Sequence, residues 1–264
     1  MIAAGAAGAP EGRAAAGEVQ AAVVVACGGI GERFQDGGAG GYGIAEKQFA
    51  ILKGKPVLAY TLDVLEKHPR ISFSVLILPQ SLLEKGKALI DGRLPEAPGA
   101  HYRKVKAILV GGQDRQASVE IGLTALADFG WQGPVLIQDG VRPCTPSEVY
   151  DRVIEGVIAK GNAIAAIPLV DTVKRADKDR IVQETVDRHG LWQIQTPQGF
   201  WMRDLTEACC EGRSRGLHVT DDAALIEALG RPVYLVEGDP ANIKLTYPGD
   251  AVVLEALIQD ELRL

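Results

Sequence analysis

One glycine-rich stretch of the sequence carries the residue types that a polyphosphate site needs. An apolar run ends at Ala26, and these residues follow it: Cys27, Gly28, Gly29, Gly31, Arg33 and Lys47. Glycines have no Cβ, so their backbone N–H groups can come close to an anion. Arginine adds a planar fork of donors, and lysine adds a compact positive charge. The stretch therefore predicts a site for a polyphosphate.

Two better-known phosphate motifs do not fit this stretch. The dinucleotide fingerprint needs a third glycine where Phe34 stands, and an acidic residue after the second strand, where Leu78 leads into Pro79. A P-loop needs a hydroxyl side chain after its lysine, whereas Lys55 is followed by Pro56. Both readings are therefore disfavoured.

Further polar residues follow two apolar runs nearer the middle of the chain. They are Gly111, Gly112, Arg115, Asp139 and Arg142. In a parallel sheet the carboxyl ends of the strands meet at one edge, and ligands bind beyond that edge. We therefore expect these residues to share one rim with Arg33 and Lys47.

These residues need a scaffold, and the body of the chain predicts alternating strands and helices. Apolar runs predict strands at Val23–Ala26, Phe73–Leu78, Val105–Val110, Val135–Ile137, Ala163–Ile167 and Val233–Val236. Helical spacing predicts helices over residues 56–67, 81–90, 115–127, 146–159, 203–213, 221–229 and 248–262. This alternation predicts an α/β, Rossmann-like fold with a mostly parallel sheet and helices on both faces.

The alternation stops over residues 169–190. Residues 171–175 and 181–188 are typical of two strands, joined by a charged turn at Ala176–Arg180. A projecting two-stranded hairpin is marginal in water by itself, so we expect it to pack on another subunit. It is a predicted dimerisation arm of one domain that spans residues 19–264.

Composition and charge exclude several classes of protein. With 264 residues and a net charge of −6, the chain lacks the basic character of a general nucleic-acid binder. No apolar run approaches the ~18 residues of a membrane span. The four cysteines have no metal-ligand spacing and are interpreted as free thiols of a cytoplasmic protein. Residues 1–18, rich in Ala and Gly, are predicted to be a disordered tail.

Several segments together resemble one family of nucleotidyltransferases. Gly29-Ile-Gly-Glu-Arg with a later Lys47-Gln-Phe is similar to the nucleotide-binding signature of sugar nucleotidyltransferases. Six segments resemble the 2-C-methyl-D-erythritol 4-phosphate cytidylyltransferases: Gly111-Gly-Gln-Asp-Arg-Gln-Ala-Ser-Val, Gln138-Asp-Gly-Val-Arg-Pro, Ile167-Pro-Leu-Val-Asp-Thr-Val-Lys-Arg, Thr185-Val-Asp-Arg-His-Gly-Leu-Trp-Gln-Ile-Gln-Thr-Pro-Gln-Gly-Phe, Val219-Thr-Asp-Asp-Ala and Val236-Glu-Gly-Asp-Pro-Ala-Asn-Ile-Lys. The resemblance implies transfer of CMP from CTP to methylerythritol phosphate, with release of pyrophosphate, in non-mevalonate isoprenoid synthesis.

The resemblance also implies roles for single residues. The implied catalytic residues are Arg33, Lys47 and Lys244. The implied nucleotide pocket consists of Cys27, Gly28, Gly29, Gly31, Gly112, Arg115, Ser118, Asp139 and Arg142. The implied cofactor is Mg²⁺, held by Asp139. The residues implied to hold the acceptor are Thr172, Arg188, Thr196 and Lys244.

Two further interpretations concern the neighbourhood of this site. In a family-like dimer, Thr172 and Arg188 on the arm of one subunit would complete the site of the other. Asp221 and Asp222 are interpreted as carboxylates at a helix N-terminus, where the helix dipole favours them.

The chain departs from the family pattern near these residues. Glu46 stands before Lys47, where the family usually has proline, and the loop Gly37–Ile44 is longer and rich in glycine. The family's His-Asp-Ala-Ala-Arg-Pro is Gln138-Asp-Gly-Val-Arg-Pro here, so a shift of the backbone near the ribose is expected. The charged catalytic positions are all filled.

Two other functions stay open from the sequence. A ribitol-phosphate cytidylyltransferase would share the nucleotide site, and Val141 is a small mark in its favour, whereas residues 187–192 and 220–223 favour methylerythritol phosphate. A non-catalytic nucleotide-binding protein is the third possibility. The presence of Arg33, Lys47 and Asp139 counts against it.

Overall fold

The computed structural model describes residues 19–27 and 46–261, and a seven-stranded sheet lies at its centre. The strands are β1 (Ala21–Ala26), β2 (Ile51–Leu52), β3 (Lys55–Pro56), β4 (Ile71–Leu78), β5 (Val105–Val110), β6 (Pro134–Asp139), β7 (Asn162–Pro168), β8 (Val173–Ala176), β9 (Val182–Val186), β10 (Trp192–Trp201) and β11 (Leu235–Glu237). The sheet order is β11-β7-β10-β6-β1-β4-β5. Only β10 runs antiparallel to its neighbours within this sheet, so the predicted mostly parallel sheet is confirmed.

Helices cover both faces of the sheet, as predicted. They are α1 (Val57–Lys67), α2 (Leu83–Ile90), α3 (Arg115–Asp128), α4 (Ser147–Lys160), α5 (Met202–Ser214), α6 (Ala223–Ala228) and α7 (Pro248–Glu261). Side chains of β1 alternate between the two faces: Val23 and Val25 pack with α1, α2 and α4, whereas Ala22 and Val24 pack with α3, α5 and α6. Helix α7 packs on a third apolar cluster around Leu52 and Val57.

Strand β10 is the main element that the sequence analysis missed. It pairs with β6 on one side and with β7 on the other, so it lies inside the sheet. Its sequence contains Pro197 and Gly199, which are disfavoured within central strands. The proline sits where the pairing with β7 is irregular, between Ile194 and Gln198. Position 199 has room only for glycine, because a Cβ there would overlap Val153 on α4.

The predicted hairpin is present as a separate two-stranded sheet of β8 and β9. Residues 171–190 are almost all exposed. The predicted tail at residues 1–18 and the loop Gly37–Ile44 lie outside the described residues.

The remaining expectations concern cysteines and membranes. All four cysteines are free, as expected, and Cys209 and Cys210 are neighbours on α5. Over residues 19–27 and 46–261, no helix has the length and hydropathy needed to cross a membrane.

Candidate active site

The predicted site assembles around Asp139. This residue ends β6 at the carboxyl edge of the sheet, and its side chain is buried. Its Oδ2 atom accepts a hydrogen bond from Nε of Arg142 at 3.1 Å and lies 3.0 Å from Nζ of Lys244. Its backbone N–H donates to Oγ1 of Thr196 at 3.1 Å. Asp139 therefore directly contacts three other residues that the sequence analysis proposed for the site.

The cations around Asp139 keep its carboxyl group ionised. Burial alone would raise the pKa of this carboxyl group, but Lys244, Arg142 and Arg115 outweigh burial and hold the pKa well below its usual range. The carboxylate is therefore ionised at neutral pH. Two cations in direct contact with one carboxylate leave a positive charge at this edge, which suits the binding of phosphate groups.

A buried asparagine, Asn242, joins three segments at the site, although the sequence analysis gave it no role. Its Oδ1 accepts a hydrogen bond from Oγ1 of Thr145 at 2.8 Å, and its Nδ2 donates to the carbonyl of Thr196 at 2.8 Å. Its own carbonyl accepts from Nη1 of Arg142 at 2.7 Å. The sequence signal that could have found Asn242 is its place in the family-like segment that ends at Lys244.

The loop after β5 is held tightly against α3. The hydroxyl of Ser118 donates to the carbonyl of Asp114 at 2.8 Å and accepts from the N–H of Gly112 at 3.1 Å. Asp114 caps α3, because its Oδ1 accepts from the N–H of Ala117 at 2.7 Å. A Cβ on Gly112 would overlap Ala117. Ser118 therefore positions the Gly112 backbone, and its contact with a base stays a prediction.

Arg115, at the start of α3, forms an ion pair that the sequence analysis missed. Its Nη2 lies 2.7 Å from Oδ2 of the buried Asp222. Burial lowers the pKa of Arg115, but Asp222, Asp139 and Asp221 outweigh burial and raise it.

Asp221 accepts a hydrogen bond from the N–H of Ala224 at 3.2 Å, as expected at a helix N-terminus. The interpretation of Asp222 was incomplete, because its side chain pairs with Arg115 and caps no N–H.

Lys47 lies near the same edge of the sheet as Asp139. It begins a 3₁₀ turn, and the next residue, Gln48, donates from Nε2 to the carbonyl of Cys27 at 2.5 Å. Burial raises the pKa of the Cys27 thiol, Asp139 raises it further, and Lys47 lowers it. The charges of Lys47 and Asp139 therefore act on the same thiol in opposite directions.

Glu46, which replaces the family's proline, is paired with a lysine. Its Oε2 lies 3.3 Å from Nζ of Lys85 on α2. The same ammonium group lies 4.8 Å from the ring centre of Phe49. Because Glu46 has its own cationic partner, it does not leave an unpaired negative charge beside Lys47.

The structure does not bring every predicted residue into this cluster. Thr172 and Arg188 are exposed on the arm, and Nη1 of Arg188 donates to the carbonyl of Val170. In the described part of the chain, neither residue forms a hydrogen bond or ion pair with Asp139 or Lys244. The remaining predicted residues lie outside the described segments: Gly28, Gly29, Gly31 and Arg33.

The described residues offer a divalent cation one carboxylate rather than a complete set of ligands. Among them, no group of three or more His, Cys, Asp or Glu side chains could hold a metal ion. Asp139 makes both of its ionic contacts through Oδ2. Mg²⁺ is commonly held by one or two carboxylates together with substrate phosphates. A magnesium ion held by Asp139 therefore stays a prediction, which would need substrate phosphates as further ligands.

Comparison with known proteins identifies the family to which this arrangement belongs. The family model for 2-C-methyl-D-erythritol 4-phosphate cytidylyltransferase matches residues 21–260. The chain belongs to this cytidylyltransferase family. The matched range contains Lys47, Asp139 and Lys244, and the resemblance inferred from the sequence is confirmed.

Individual cytidylyltransferases are similar over most of their length. The 2-C-methyl-D-erythritol 4-phosphate cytidylyltransferase of Dehalococcoides mccartyi strain 195 is 41% identical over 214 residues, which are 81% of this chain and 88% of that protein. The enzyme of the same name from Syntrophus aciditrophicus is 36% identical over 238 residues, 90% of this chain and 95% of that protein. The crystal structure of the Thermus thermophilus cytidylyltransferase is 29% identical, with a TM-score of 0.69, and the match covers 91% of this chain and 100% of that one.

Proposed function

We propose that this chain transfers CMP from CTP to 2-C-methyl-D-erythritol 4-phosphate and releases pyrophosphate, as a step of non-mevalonate isoprenoid synthesis. The observation that carries the proposal is the contact of Asp139 with Arg142, Thr196 and Lys244, in a chain of this family. An oxygen of the acceptor phosphate bonds to the α-phosphorus of CTP, and the bond from that phosphorus to the pyrophosphate oxygen breaks. With a second pKa of ~6, the acceptor phosphate is largely dianionic at neutral pH and needs no general base.

In this proposal the cations of the site offset the charge that accumulates on the phosphates. Lys47 and Arg33 act on the triphosphate and on the crowded phosphorus, and Lys244 acts on the acceptor. Asp139 orients Lys244 through their 3.0 Å contact. Asp139 is also the residue that would hold Mg²⁺, whose charge would further offset that of the triphosphate.

The proposed nucleotide pocket lies at the carboxyl ends of β1 and β5. Backbone groups at Cys27 and Gly112 would read the cytosine, with Arg115 and Arg142 lining the pocket. The hydrogen bonds of Ser118 to the Gly112 loop support this role, because they fix the backbone that would face the base.

The acceptor side of the proposed site needs Thr172 and Arg188, which the described part of one chain does not bring to Asp139 and Lys244. Thr172 and Arg188 are exposed on the arm. The arm and the strand after it also expose large apolar side chains: Val170, Ile181, Val182, Leu191, Trp192 and Ile194. Exposed apolar patches of this kind mark interaction surfaces. The proposed partner is a second copy of this chain in a twofold dimer, with the arm of each copy completing the other's site.

The proposed location of the enzyme is the cytoplasm. All four cysteines are free, and three of them are buried. Free thiols are usual in a reducing compartment.

A pyrophosphate-release assay with CTP and Mg²⁺ tests this function. We expect pyrophosphate release with methylerythritol phosphate as the acceptor. With ribitol 5-phosphate, the release should be much slower. The opposite preference would reassign the acceptor. CTP binding by calorimetry without turnover of either acceptor would make the chain a nucleotide-binding protein instead of an enzyme.

A further inference from the structure

The ion pair between Arg115 and Asp222 joins two distant parts of the chain beside the proposed nucleotide pocket. Arg115 opens α3 after the loop that contains Gly112, and Asp222 precedes α6. The two side chains approach to 2.7 Å, with 28% of the Arg115 side chain exposed but only 2% of that of Asp222. One edge of the guanidinium is therefore held from inside the protein, while another part of it faces outwards.

The backbone that carries Asp222 is itself held by a buried glutamine on β10. Oε1 of Gln198 accepts hydrogen bonds from the N–H groups of Asp222 at 3.1 Å and Ala223 at 3.2 Å. Nε2 of the same side chain donates to Oδ2 of Asp221 at 2.9 Å. The Asp222 carboxylate is therefore fixed relative to the sheet. Because Thr196 lies on the same strand and contacts Asp139, β10 connects the pair to the centre of the site.

A role in stability alone explains this pair poorly. Burying a carboxylate is costly, and buried ion pairs are often no more stabilising than apolar side chains of similar volume. An arginine fork has five donors, so one contact with Asp222 leaves others for a ligand. Arg115 is also one of the three cations that lower the pKa of Asp139, so its charge acts on the cluster at the carboxyl edge of the sheet.

We propose that Asp222 is a positioning residue that holds the Arg115 guanidinium in place to bind CTP. The proposal rests on the proposed function, since CTP is its ligand. Without the charge of Asp222, the strongest remaining attraction on Arg115 is Asp139. The guanidinium would then turn towards Asp139 and away from the nucleotide, and binding of CTP would weaken while binding of the acceptor would not.

The Asp222→Asn variant tests this role, because asparagine keeps the shape and an acceptor oxygen but removes the charge. We expect KM for CTP to rise about tenfold, with kcat within about threefold and KM for methylerythritol phosphate unchanged. In an Arg115→Ala background, the same substitution should leave KM for CTP unchanged, since the group that it positions is gone. Asp151→Asn is the control, because Asp151 pairs with Arg70 rather than with Arg115, and it should leave KM for CTP unchanged.

Three outcomes would overturn the proposal. These are an unchanged KM for CTP in Asp222→Asn, an equal rise of KM for both substrates, and additive effects with Arg115→Ala.

Should Asp222→Asn fail to fold, Arg115→Lys replaces it. This variant keeps the charge but loses the planar fork of donors, and it must raise KM for CTP in the same selective way. CTP affinity measured by calorimetry without acceptor separates this proposal from the function itself, since wild-type binding of CTP without turnover would contradict only the latter.

Discussion

At the scale of the single residue, Gly140 shows how a departure from the family pattern is accommodated. The family has alanine after the aspartate, whereas this chain has Gly140 after Asp139. A Cβ at this position would overlap Sγ of Cys27 and lie 3.1 Å from Cδ1 of Leu58. The thiol of Cys27 thus occupies the space that an alanine at position 140 would need. We infer that Cys27 and Gly140 depend on each other.

The mutual dependence of Cys27 and Gly140 predicts a coupling in stability. Gly140→Ala should lower the free energy of unfolding by about 1–3 kcal/mol, the usual cost of overpacking a core. In a Cys27→Ala background the same substitution should cost at least about 1 kcal/mol less, because the space is then open. Urea unfolding of the four proteins of this cycle measures the coupling.

A second glycine provides the control for this cycle. A Cβ on Gly249 would meet nothing within 4 Å. Gly249→Ala should therefore have the same effect on unfolding with Cys27 or with Ala at position 27. Additive effects of Cys27→Ala and Gly140→Ala would contradict the inferred dependence.

At the scale of elements, β10 acts as a polar connector within the sheet. Three of its side chains each reach a different segment of the chain. Gln195 bonds both backbone groups of Asp239, Thr196 accepts from the end of β6, and Gln198 binds the turn before α6. The polar sequence of β10 is explained by these contacts. The strand thereby connects the segments that carry Asp139, Lys244 and the Asp222 partner of Arg115.

The Asn242→Ala variant tests whether the polar contacts of β10 with the segment before Lys244 matter for the site. Asn242→Ala removes the hydrogen bonds of its side chain to the buried carbonyl of Thr196 and to the hydroxyl of Thr145, so we expect a loss of about 1–3 kcal/mol of stability. Because Asn242 precedes Lys244 by two residues, we also expect kcat/KM for the acceptor to fall at least about tenfold in the folded variant. Unfolding and steady-state kinetics measure the two effects separately.

Asn162 is a matched control for Asn242. It is also buried, and its side chain donates to the carbonyl of Pro232 at 2.9 Å and accepts from the N–H of Tyr234 at 3.1 Å. Asn162→Ala should lose similar stability but keep its kcat/KM for the acceptor. Equal losses of activity in both variants would show that Asn242 acts only through stability.

At the scale of the whole molecule, the exposed apolar surface of the arm bears on whether the chain forms a dimer. Val170 is 73% exposed and Ile181 is 62% exposed, values that are unfavourable for large apolar side chains in water. Arg188, proposed to hold the acceptor, lies on the same arm and is also exposed. Docking of the arm on a second copy would cover the apolar surface and complete the site in one step.

Mixing two inactive variants tests this shared site. Lys47→Ala and Arg188→Ala should each lower activity by about 10²-fold or more, because each removes one cation from the site. In a mixed dimer one of the two sites carries neither lesion. After random exchange of subunits, activity should recover to about a quarter of the wild-type value, because half of the dimers are mixed and half of their sites are intact.

Light scattering and a subunit-exchange assay provide the controls for the mixing experiment. A fully active monomer would contradict the shared site. The absence of recovery after proven exchange would also contradict it. A mixture of Lys47→Ala with the Lys47→Ala Arg188→Ala double variant should stay inactive, because no site in it has Lys47.

Signals that lie within short stretches of the sequence determined much of this protein. Apolar runs and helical spacing depend on neighbours along the chain, so most of the sheet and its covering helices could be predicted. The rule that ligands bind at the carboxyl edge of parallel strands then brought Asp139 and Arg142 to one rim. The family also followed from ordered segments of sequence, and the comparisons confirmed it.

The tertiary structure alone decided what these residues contact. Thr145 and Asn242 are 97 residues apart in the chain, and no local pattern encodes their hydrogen bond. Asp222 had the sequence signal of a helix end, yet in the folded chain its side chain lies 2.7 Å from Arg115 and pairs with it. Strand β10 lacked an apolar run because Gln195, Thr196 and Gln198 bond to other segments, while Phe200 is its fully buried apolar side chain. Such contacts depend on which elements pack together, and only the folded chain determines that.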